Sequence, residues 1–301
     1  MSEPLVLTLP GNAAQARRIG AELQAELGAL ELRAFPDGET YLRLDASVRD
    51  RPVVLVCTLH EPDAKLLPLY FLACAAREQG ARSVGLVAPY LAYMRQDTQF
   101  RPGEAVTSRS FAALLSSVLD WLVTVDPHLH RHASLDEIYR LRSRVVHAAP
   151  EIAAWVRTHV KNPLIIGPDE ESRQWVEAIA GGAGAPYTVL RKVRRGDRDV
   201  EVSVPDVERW RGHSAVLADD IISTGHTLCA ALRQLAGAGL HDTVCIGVHA
   251  VFAARAYEEL REAGAAHIAT CDTIPHASNA IALAPLLARE IRALLGAAEV
   301  A

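Results

Sequence analysis

Two carboxylates and a run of small hydroxyl residues stand together in the segment VLADDIISTGHT, residues 216–227. An apolar strand pattern ends in Asp219 and Asp220. The residues before the next helical pattern can donate to a phosphate: Ser223, Thr224, Gly225 and Thr227. In a parallel α/β sheet, such a strand-to-helix loop lies at the carboxyl edge, where ligands bind. Hydroxyls and backbone N–H groups at a helix N-terminus form a phosphate site there.

The two aspartates fit another part of the same ligand. A carboxylate repels a phosphate, but it accepts hydrogen bonds from a vicinal diol, either directly or through Mg²⁺. A phosphate close to a diol describes a pentose 5-phosphate. The plainer alternative for this segment is an ordinary N-cap after an acidic strand end.

The densest basic cluster is RKVRRGDR, residues 191–198, in a chain whose formal net charge is −5. Phosphoryl transfer is catalysed mainly by positioning and by cations that stabilise the charge spreading over the transferring oxygens. Apolar runs on either side predict a hairpin. Five like charges in eight residues repel one another and Gly196 eases bending, so we predict a flap that is mobile until anions bind. A solvated basic hairpin or an RNA-contacting patch is the alternative.

The segment FPDGE offers an aromatic face beside two carboxylates. Phe35 can stack on adenine, while Asp37 and Glu39 can accept hydrogen bonds from the base amino group or from a ribose. A Pro-Asp-Gly turn is the alternative, and on these residues alone it is the better one.

The segment YMRQD follows an apolar strand pattern. Arg95 is a fitting donor to phosphate oxygens, Gln96 can meet an adenine edge, and Asp97 can orient Arg95. The alternative is ordinary solvated surface, where a lone Arg-Gln-Asp triplet is most often found.

Two more apolar strand patterns end in candidate ligands. DPHLHRH places His128, His130 and His132 at alternate positions, a spacing that also fits a transition-metal site. IIGPDE ends in Asp169, whose carboxylate can hold Mg²⁺ directly or through water.

Short apolar runs alternate with helical patterns along the chain, which predicts the α/β class. The run PVVLVCTLH, a helical segment and GARSVGLVAPY resemble SAVLADDII, a similar helix and GLHDTVCIGVHAV at nearly equal spacing. This internal similarity favours two βαβ domains of related design, although any two βαβ units share part of such a pattern.

Taken in order, the six segments resemble motifs of the ribose-phosphate diphosphokinase family, over almost the whole chain. Their order is far more specific than any one of them, and the DPH and GEAV stretches are similar to its archaeal-type branch. The resemblance implies two type I phosphoribosyltransferase-like domains, each a mostly parallel sheet flanked by helices. We expect them at residues 1–143 and 144–301, with the last helix able to pack back on the first.

The resemblance also implies an activity, the transfer of the pyrophosphoryl group of Mg·ATP to the 1-hydroxyl of ribose 5-phosphate. In its terms Lys192 and Arg194 clamp the transition state, and His128 lies beside the nucleotide phosphates and Mg²⁺. Asp169 would hold Mg²⁺ as well. The FPDGE loop is expected to reach a neighbouring subunit's site, so we expect a homo-oligomer, at least a dimer.

Ser223 and His226 depart from the family's usual ribose loop. The likeness to the archaeal-type branch puts allosteric activation by phosphate, inhibition by ADP and hexamer formation in doubt. Two rival functions share parts of the pattern. A phosphoribosyltransferase shares the ribose loop, but it does not require the FPDGE, YMRQD and DPH segments together. A silent regulatory homologue is expected to lose some of the residues that this chain keeps: Lys192, Arg194, Asp219 and Asp220.

Composition excludes several other classes. The chain has 301 residues, 22% of them charged, and no global basic field for nucleic acid. The five cysteines stand singly, which favours buried thiols in a reducing cytoplasm over disulfides or a zinc site. The first residues do not suit a signal peptide, and no apolar run is long enough to cross a membrane.

Overall fold

The computed structural model describes residues 2–129, 131–194, 200–203 and 207–297. The chain divides into two compact units. The first comprises Met1–Val146 together with Ala284–Ala301, and the second comprises His147–Leu283.

The first unit contains eight strands and three helices before residue 147, within the described residues. The strands are β1 (Leu5–Thr8), β2 (Glu26–Leu27), β3 (Leu30–Ala34), β4 (Thr40–Leu44), β5 (Pro52–Val56), β6 (Ser83–Ala88), β7 (Trp121–Val125) and β8 (Arg142–Val146). The helices are α1 (Ala13–Leu23), α2 (Asp63–Glu78) and α3 (Thr107–Ser116). Six strands form one parallel sheet in the order β2-β1-β5-β6-β7-β8, and β3 and β4 form a separate antiparallel hairpin.

The second unit repeats this plan. Its strands are β9 (Pro163–Gly167), β10 (Tyr187–Val189), β11 (Arg191–Arg194), β12 (Val200–Ser203), β13 (Ser214–Ile222), β14 (Val244–Ala250), β15 (His267–Cys271) and β16 (Asn279–Ile281). Its helices are α4 (Ala149–His159), α5 (Arg173–Ala183), α6 (His226–Gly237) and α7 (Ala256–Glu262). The parallel sheet runs β10-β9-β13-β14-β15-β16, and β11 and β12 form the separate hairpin.

The last helix of the chain, α8 (Ala284–Ala297), belongs to the first unit. Its buried residues, which include Leu287, Ile291 and Leu294, recur at helical spacing. They face α1, β7 and β8. Arg292 also donates to the main-chain carbonyl of Glu22 at the end of α1.

Burial on both faces explains the apolar runs of the sequence. Every residue of β5 and β7 is buried, as expected for central strands of a parallel sheet covered by helices. Each unit has its own apolar core around its sheet. The carboxyl ends of the parallel strands are therefore left as the edge that can carry polar ligand-binding loops.

Candidate active site

The FPDGE segment forms the tip of the β3–β4 hairpin. The backbone N–H of Phe35 donates to the carbonyl of Glu39 at 2.7 Å, and that of Gly38 donates to the carbonyl of Phe35 at 2.9 Å. Gly38 has φ = +93°, a conformation that glycine adopts without strain. Asp37 accepts from the N–H of Glu39 at 3.2 Å. The segment is thus a tight turn, the plainer of its two interpretations, and this turn sets the position of Phe35.

An aromatic and cationic cluster supports Phe35. Its ring lies 5.8 Å from that of Tyr41 in an edge-to-face arrangement, and Phe35 is 40% exposed. The guanidinium of Arg33 lies 3.9 Å from the Tyr41 ring centre and 5.0 Å from that of Phe35. Neither Arg33 nor Tyr41 was predicted from the sequence as part of the site. The alternation of side chains along a strand could have indicated them, because it places Arg33 on the same face as Phe35. In the hairpin register, Arg33 is the partner of Tyr41.

The YMRQD loop follows β6, as predicted. Arg95 is exposed, Gln96 is half-buried, and Asp97 is buried. The structure corrects the role given to Asp97, because its carboxylate accepts from Arg131 at 2.8 Å rather than orienting Arg95. The pairing has a physical reason, since the Asp97 side chain is only 2% exposed and a buried charge needs a partner.

Arg131 also contacts the loop after β6 at a second point. Its guanidinium lies 5.1 Å from the ring centre of Phe100, which is itself 58% exposed. Arg131 therefore ties the loop after β6 to the loop after β7, where His128 lies. Sequence reasoning missed it because the two loops are far apart in the chain.

His128 follows β7 and is partly buried. Of the other two histidines in DPHLHRH, His132 pairs with Glu137, its Nδ1 lying 2.9 Å from Oε2 of that residue. His130 lies outside the described residues. Within the described ranges, no group of three or more His, Cys, Asp and Glu side chains is arranged to hold a metal ion.

Asp219 and Asp220 lie inside β13, which extends to Ile222 rather than ending at the aspartates. Ile222 is fully buried, and its burial stabilises the extended backbone beyond the aspartates. Beyond Leu217, however, β13 pairs only with β14 among the described strands, because β9 stops at Gly167. The two carboxylates accept from neighbouring N–H groups, Asp219 from Asp220 at 3.0 Å and Asp220 from Ile221 at 2.8 Å.

The carboxylates of Asp220 and Asp169 repel that of Asp219 at this edge. The pKa of Asp219 is raised well above its usual value, chiefly because burial penalises the charged form. The charges of Asp220 and Asp169 raise it further. Asp169 stands two residues after β9, the neighbour of β13 in the sheet. Negative charge therefore accumulates where two parallel strands end, a setting that favours a cation or sugar hydroxyls.

The residues after β13 lead directly into α6. Gly225 occupies the N-cap position with φ = +71°, and its carbonyl accepts the N–H of Cys229 at 2.8 Å. Among the described residues, no side chain caps this helix. Thr224 and Thr227 are exposed and Ser223 is half-buried. The structure thus brings the predicted donors together at an uncapped N-terminus, where backbone N–H groups attract an anion.

The catalytic pair predicted from RKVRR falls at the limit of the described residues. Lys192 and Arg194 lie in β11, which pairs with β12 as the predicted hairpin requires. Residues 195–199 lie outside the described residues. The roles of the two cations and the flap at 191–198 therefore remain predictions.

The described helices include none that is both long and apolar enough to span a membrane.

Comparisons with known proteins agree with this architecture. Residues 5–118 match the N-terminal domain of ribose phosphate pyrophosphokinase, and residues 134–286 match the phosphoribosyl transferase domain. A ribose-phosphate pyrophosphokinase of Methanopyrus kandleri is 34% identical, over 97% of this chain and 100% of its own length. Another, from Saccharolobus solfataricus, is 33% identical, over 84% of this chain and 87% of its own.

A solved structure matches both units. The crystal structure of phosphoribosylpyrophosphate synthetase from Mycobacterium smegmatis superposes with a TM-score of 0.85 at 25% identity. It covers 98% of this chain and 99% of its own. The predicted fold class, two phosphoribosyltransferase-like domains with mostly parallel sheets, is confirmed, and the resemblance rests on the full length of the chain. The chain belongs to the ribose-phosphate pyrophosphokinase family.

Proposed function

We propose that this chain transfers the pyrophosphoryl group of Mg·ATP to the 1-hydroxyl of ribose 5-phosphate. The observation that carries the proposal is the end of β13, where Asp219 and Asp220 precede the uncapped N-terminus of α6. The helix N-terminus suits the 5-phosphate, and the carboxylates suit the ribose hydroxyls. In the reaction, a bond forms between the 1-oxygen of the sugar and the β-phosphorus of ATP. The bond from that phosphorus to the oxygen bridging to the α-phosphorus breaks, AMP leaves, and the hydroxyl proton is released.

The remaining predicted residues divide by substrate. Phe35, Asp37, Glu39, Arg95, Gln96 and His128 are proposed to bind the nucleotide. Lys192 and Arg194 are proposed to stabilise the charge that develops on the transferred oxygens. In phosphoryl transfer, positioned cations supply much of the rate enhancement.

The carboxylates of the second unit fit Mg²⁺. Asp220 and Asp169 both repel the carboxylate of Asp219, and hard oxygen ligands are those that Mg²⁺ prefers. Mg²⁺ commonly keeps several waters and takes phosphate oxygens from its substrate, so it does not require a complete cage of protein ligands. When bound, Mg²⁺ would neutralise phosphate charge, with Asp169 as its proposed ligand here and His128 proposed beside the nucleotide.

An activity assay tests the proposal and separates its rivals. The purified chain is mixed with ribose 5-phosphate and Mg·ATP, and AMP and 5-phosphoribosyl 1-diphosphate are measured. Formation of both products supports it. Consumption of 5-phosphoribosyl 1-diphosphate with a nucleobase would instead show a phosphoribosyltransferase, and inactivity in both assays would favour the silent homologue.

We also propose that the active species is a homo-oligomer, at least a dimer. The β3–β4 hairpin stands outside the six-stranded sheet and exposes Phe35, which suits a loop that completes a partner's site. A cytoplasmic location is proposed as well, and the free state of all five cysteines supports a reducing compartment.

Subunit mixing tests the shared site. Asp37→Ala protein and Lys192→Ala protein should each be weakly active alone. Exchanged into mixed oligomers, they should recover part of the wild-type activity, because some sites then combine two intact loops. Activity is measured before and after subunit exchange, with each variant exchanged against itself as the control. No recovery after verified exchange would place the whole site within one chain.

The Asp97–Arg131 pair gives a second prediction. Arg131→Ala leaves a buried carboxylate unpaired, which costs about 1–3 kcal/mol of the free energy of unfolding. Because the pair ties the two nucleotide loops, the KM for ATP should rise by roughly tenfold. Asp97→Asn combined with Arg131→Ala should recover most of the stability, since the buried charge is gone. Arg109→Ala, an exposed arginine on α3, is the control. An unchanged KM for ATP in Arg131→Ala would remove the coupling role.

A further inference from the structure

The loop after β14 is joined to the proposed ribose-phosphate loop by two main-chain hydrogen bonds. The N–H of Phe252 donates to the carbonyl of Ile222 at 2.8 Å, and the N–H of Ala253 donates to that of Ser223 at 3.1 Å. Ser223 is the first of the residues proposed to hold the 5-phosphate, and Ile222 immediately precedes it. The positions of Ile222 and Ser223 therefore depend on the conformation of residues 251–255, here named the β14–α7 loop.

This loop has an uncommon backbone. Phe252 has φ = +38° and Ala254 has φ = +53°, although neither is glycine. A bulky residue in the left-handed region is strained and persists only where its surroundings hold it. The strained turn aims two successive N–H groups at the ribose-phosphate loop, so its conformation is directly connected to the site.

Two other aromatic rings hold Phe252 in place. Its ring lies 4.5 Å from that of His276 and 5.3 Å from that of Tyr257, and the last two are 5.0 Å apart. We call Phe252, Tyr257 and His276 the aromatic trio. Phe252 and Tyr257 also pack on the apolar core of the second unit. Each ring thus has two partners, and close aromatic contacts of this kind add to the free energy of burial.

His276 brings a third loop into the arrangement. It lies between β15 and β16, where its N–H donates to Asn279 Oδ1 at 3.0 Å and its Nδ1 accepts from the N–H of Ser278 at 3.1 Å. The loops after β13, β14 and β15 follow neighbouring strands of one sheet. The aromatic trio and the two main-chain bonds therefore link all three loops at its carboxyl edge.

Gly225 shows how closely the β14–α7 segment approaches. A Cβ placed on Gly225 would lie 3.5 Å from the Cβ of Ala256, the first residue of α7. The ribose-phosphate loop is thus in contact with the segment that begins at Phe252, and a change in that segment is transmitted to it by packing as well as by hydrogen bonds.

We propose that Phe252 is a positioning residue for the phosphate of the sugar substrate. Its ring, held by Tyr257 and His276, fixes the left-handed turn whose N–H groups place the ribose-phosphate loop. The inference rests on the proposed function to the extent that ribose 5-phosphate binds at residues 223–227.

Binding of ribose 5-phosphate to the full chain tests this role. Calorimetric titration of Phe252→Ala should show a dissociation constant roughly tenfold higher than that of the wild type, because two ring contacts that fix the turn are lost. The KM for ribose 5-phosphate should rise in parallel, with kcat and the KM for ATP within about twofold. Phe252→Tyr keeps the ring and should bind nearly as the wild type does. His276→Ala removes one of the two contacts and should give an intermediate value.

Trp155→Ala is the matched control. Trp155 stacks on His159 at 4.4 Å and on His267 at 5.7 Å, in the same unit but where α4 ends and β15 begins. Its loss should lower Tm as Phe252→Ala does, yet leave ribose 5-phosphate binding unchanged. Similar Tm losses in both variants with normal binding in Phe252→Ala would overturn the inference. The titration measures binding and does not depend on turnover, so it decides the role of Phe252 whether or not the enzyme is active. A wild type that binds ribose 5-phosphate but forms no 5-phosphoribosyl 1-diphosphate would contradict the proposed function and not the role of Phe252.

Discussion

Lys192→Ala should lower kcat by roughly a hundredfold to a thousandfold, the usual cost of losing one charge-stabilising contact in the transition state. The KM for ATP should change far less. The reason is that the negative charge on the transferred oxygens grows as the bond to the leaving AMP breaks, so a cation there contributes most in the transition state. Steady-state kinetics with saturating ribose 5-phosphate give both constants.

The chain offers a close control for this variant. Of its three lysines, Lys65 donates to the carbonyl of Thr58 at 3.1 Å and so supports a loop, whereas Lys161 is exposed. Lys161→Ala should keep normal kcat and KM. Lys192→Arg keeps the charge but changes its shape and reach, so we expect partial activity. A Lys192→Ala enzyme with near-normal kcat would show that the basic cluster is ordinary surface.

The repeated architecture could be predicted from the sequence because it depends on local patterns. Apolar runs marked β5 and the first part of β13, and nearly equal spacing separated each from the next strand, β6 and β14. The structure adds to this internal similarity, since each unit also inserts a hairpin at the same place in the strand order. The FPDGE turn and the strand β11 thus occupy corresponding hairpins. The two hairpins differ in residue type, since the FPDGE segment is acidic and aromatic whereas the RKVRR segment is basic.

Contacts between distant loops could not be predicted in the same way. Arg131 and Asp97 are 34 residues apart, and each looks like solvated surface until the sheet places the loops after β6 and β7 side by side. Nothing in HAVFAAR indicates a left-handed phenylalanine, because Phe252 adopts that backbone only with Tyr257 and His276 around its ring. The aspartates of β13 are a smaller case. Their polarity indicated a strand end, but burial of Ile222 carried the strand past them.

Asp219→Asn and Asp220→Asn should each weaken ribose 5-phosphate binding by roughly tenfold to a hundredfold. A hydrogen bond to a charged group contributes about 1.5–3 kcal/mol, and the amide keeps the shape of the side chain while losing its charge. The KM for ribose 5-phosphate should rise in both variants, and steady-state kinetics at fixed Mg·ATP measure it. Thermal unfolding should change in the opposite direction. In EDTA, Asp219→Asn should have a higher Tm than the wild type, because a buried carboxylate that Asp220 and Asp169 repel is replaced by a neutral amide.

Asp242→Asn controls for the chemistry of the substitution. Asp242 is exposed, lies just before β14 at the amino edge of the same sheet, and has φ = +56°, a conformation that asparagine tolerates equally well. It should leave both KM and Tm unchanged. Added Mg²⁺ should raise the Tm of the wild type more than that of Asp219→Asn, because the cation then relieves the repulsion that the substitution has already removed. Normal ribose 5-phosphate kinetics in both aspartate variants would remove their role in binding the sugar, and an unchanged Tm in EDTA would show that the repulsion costs the fold little.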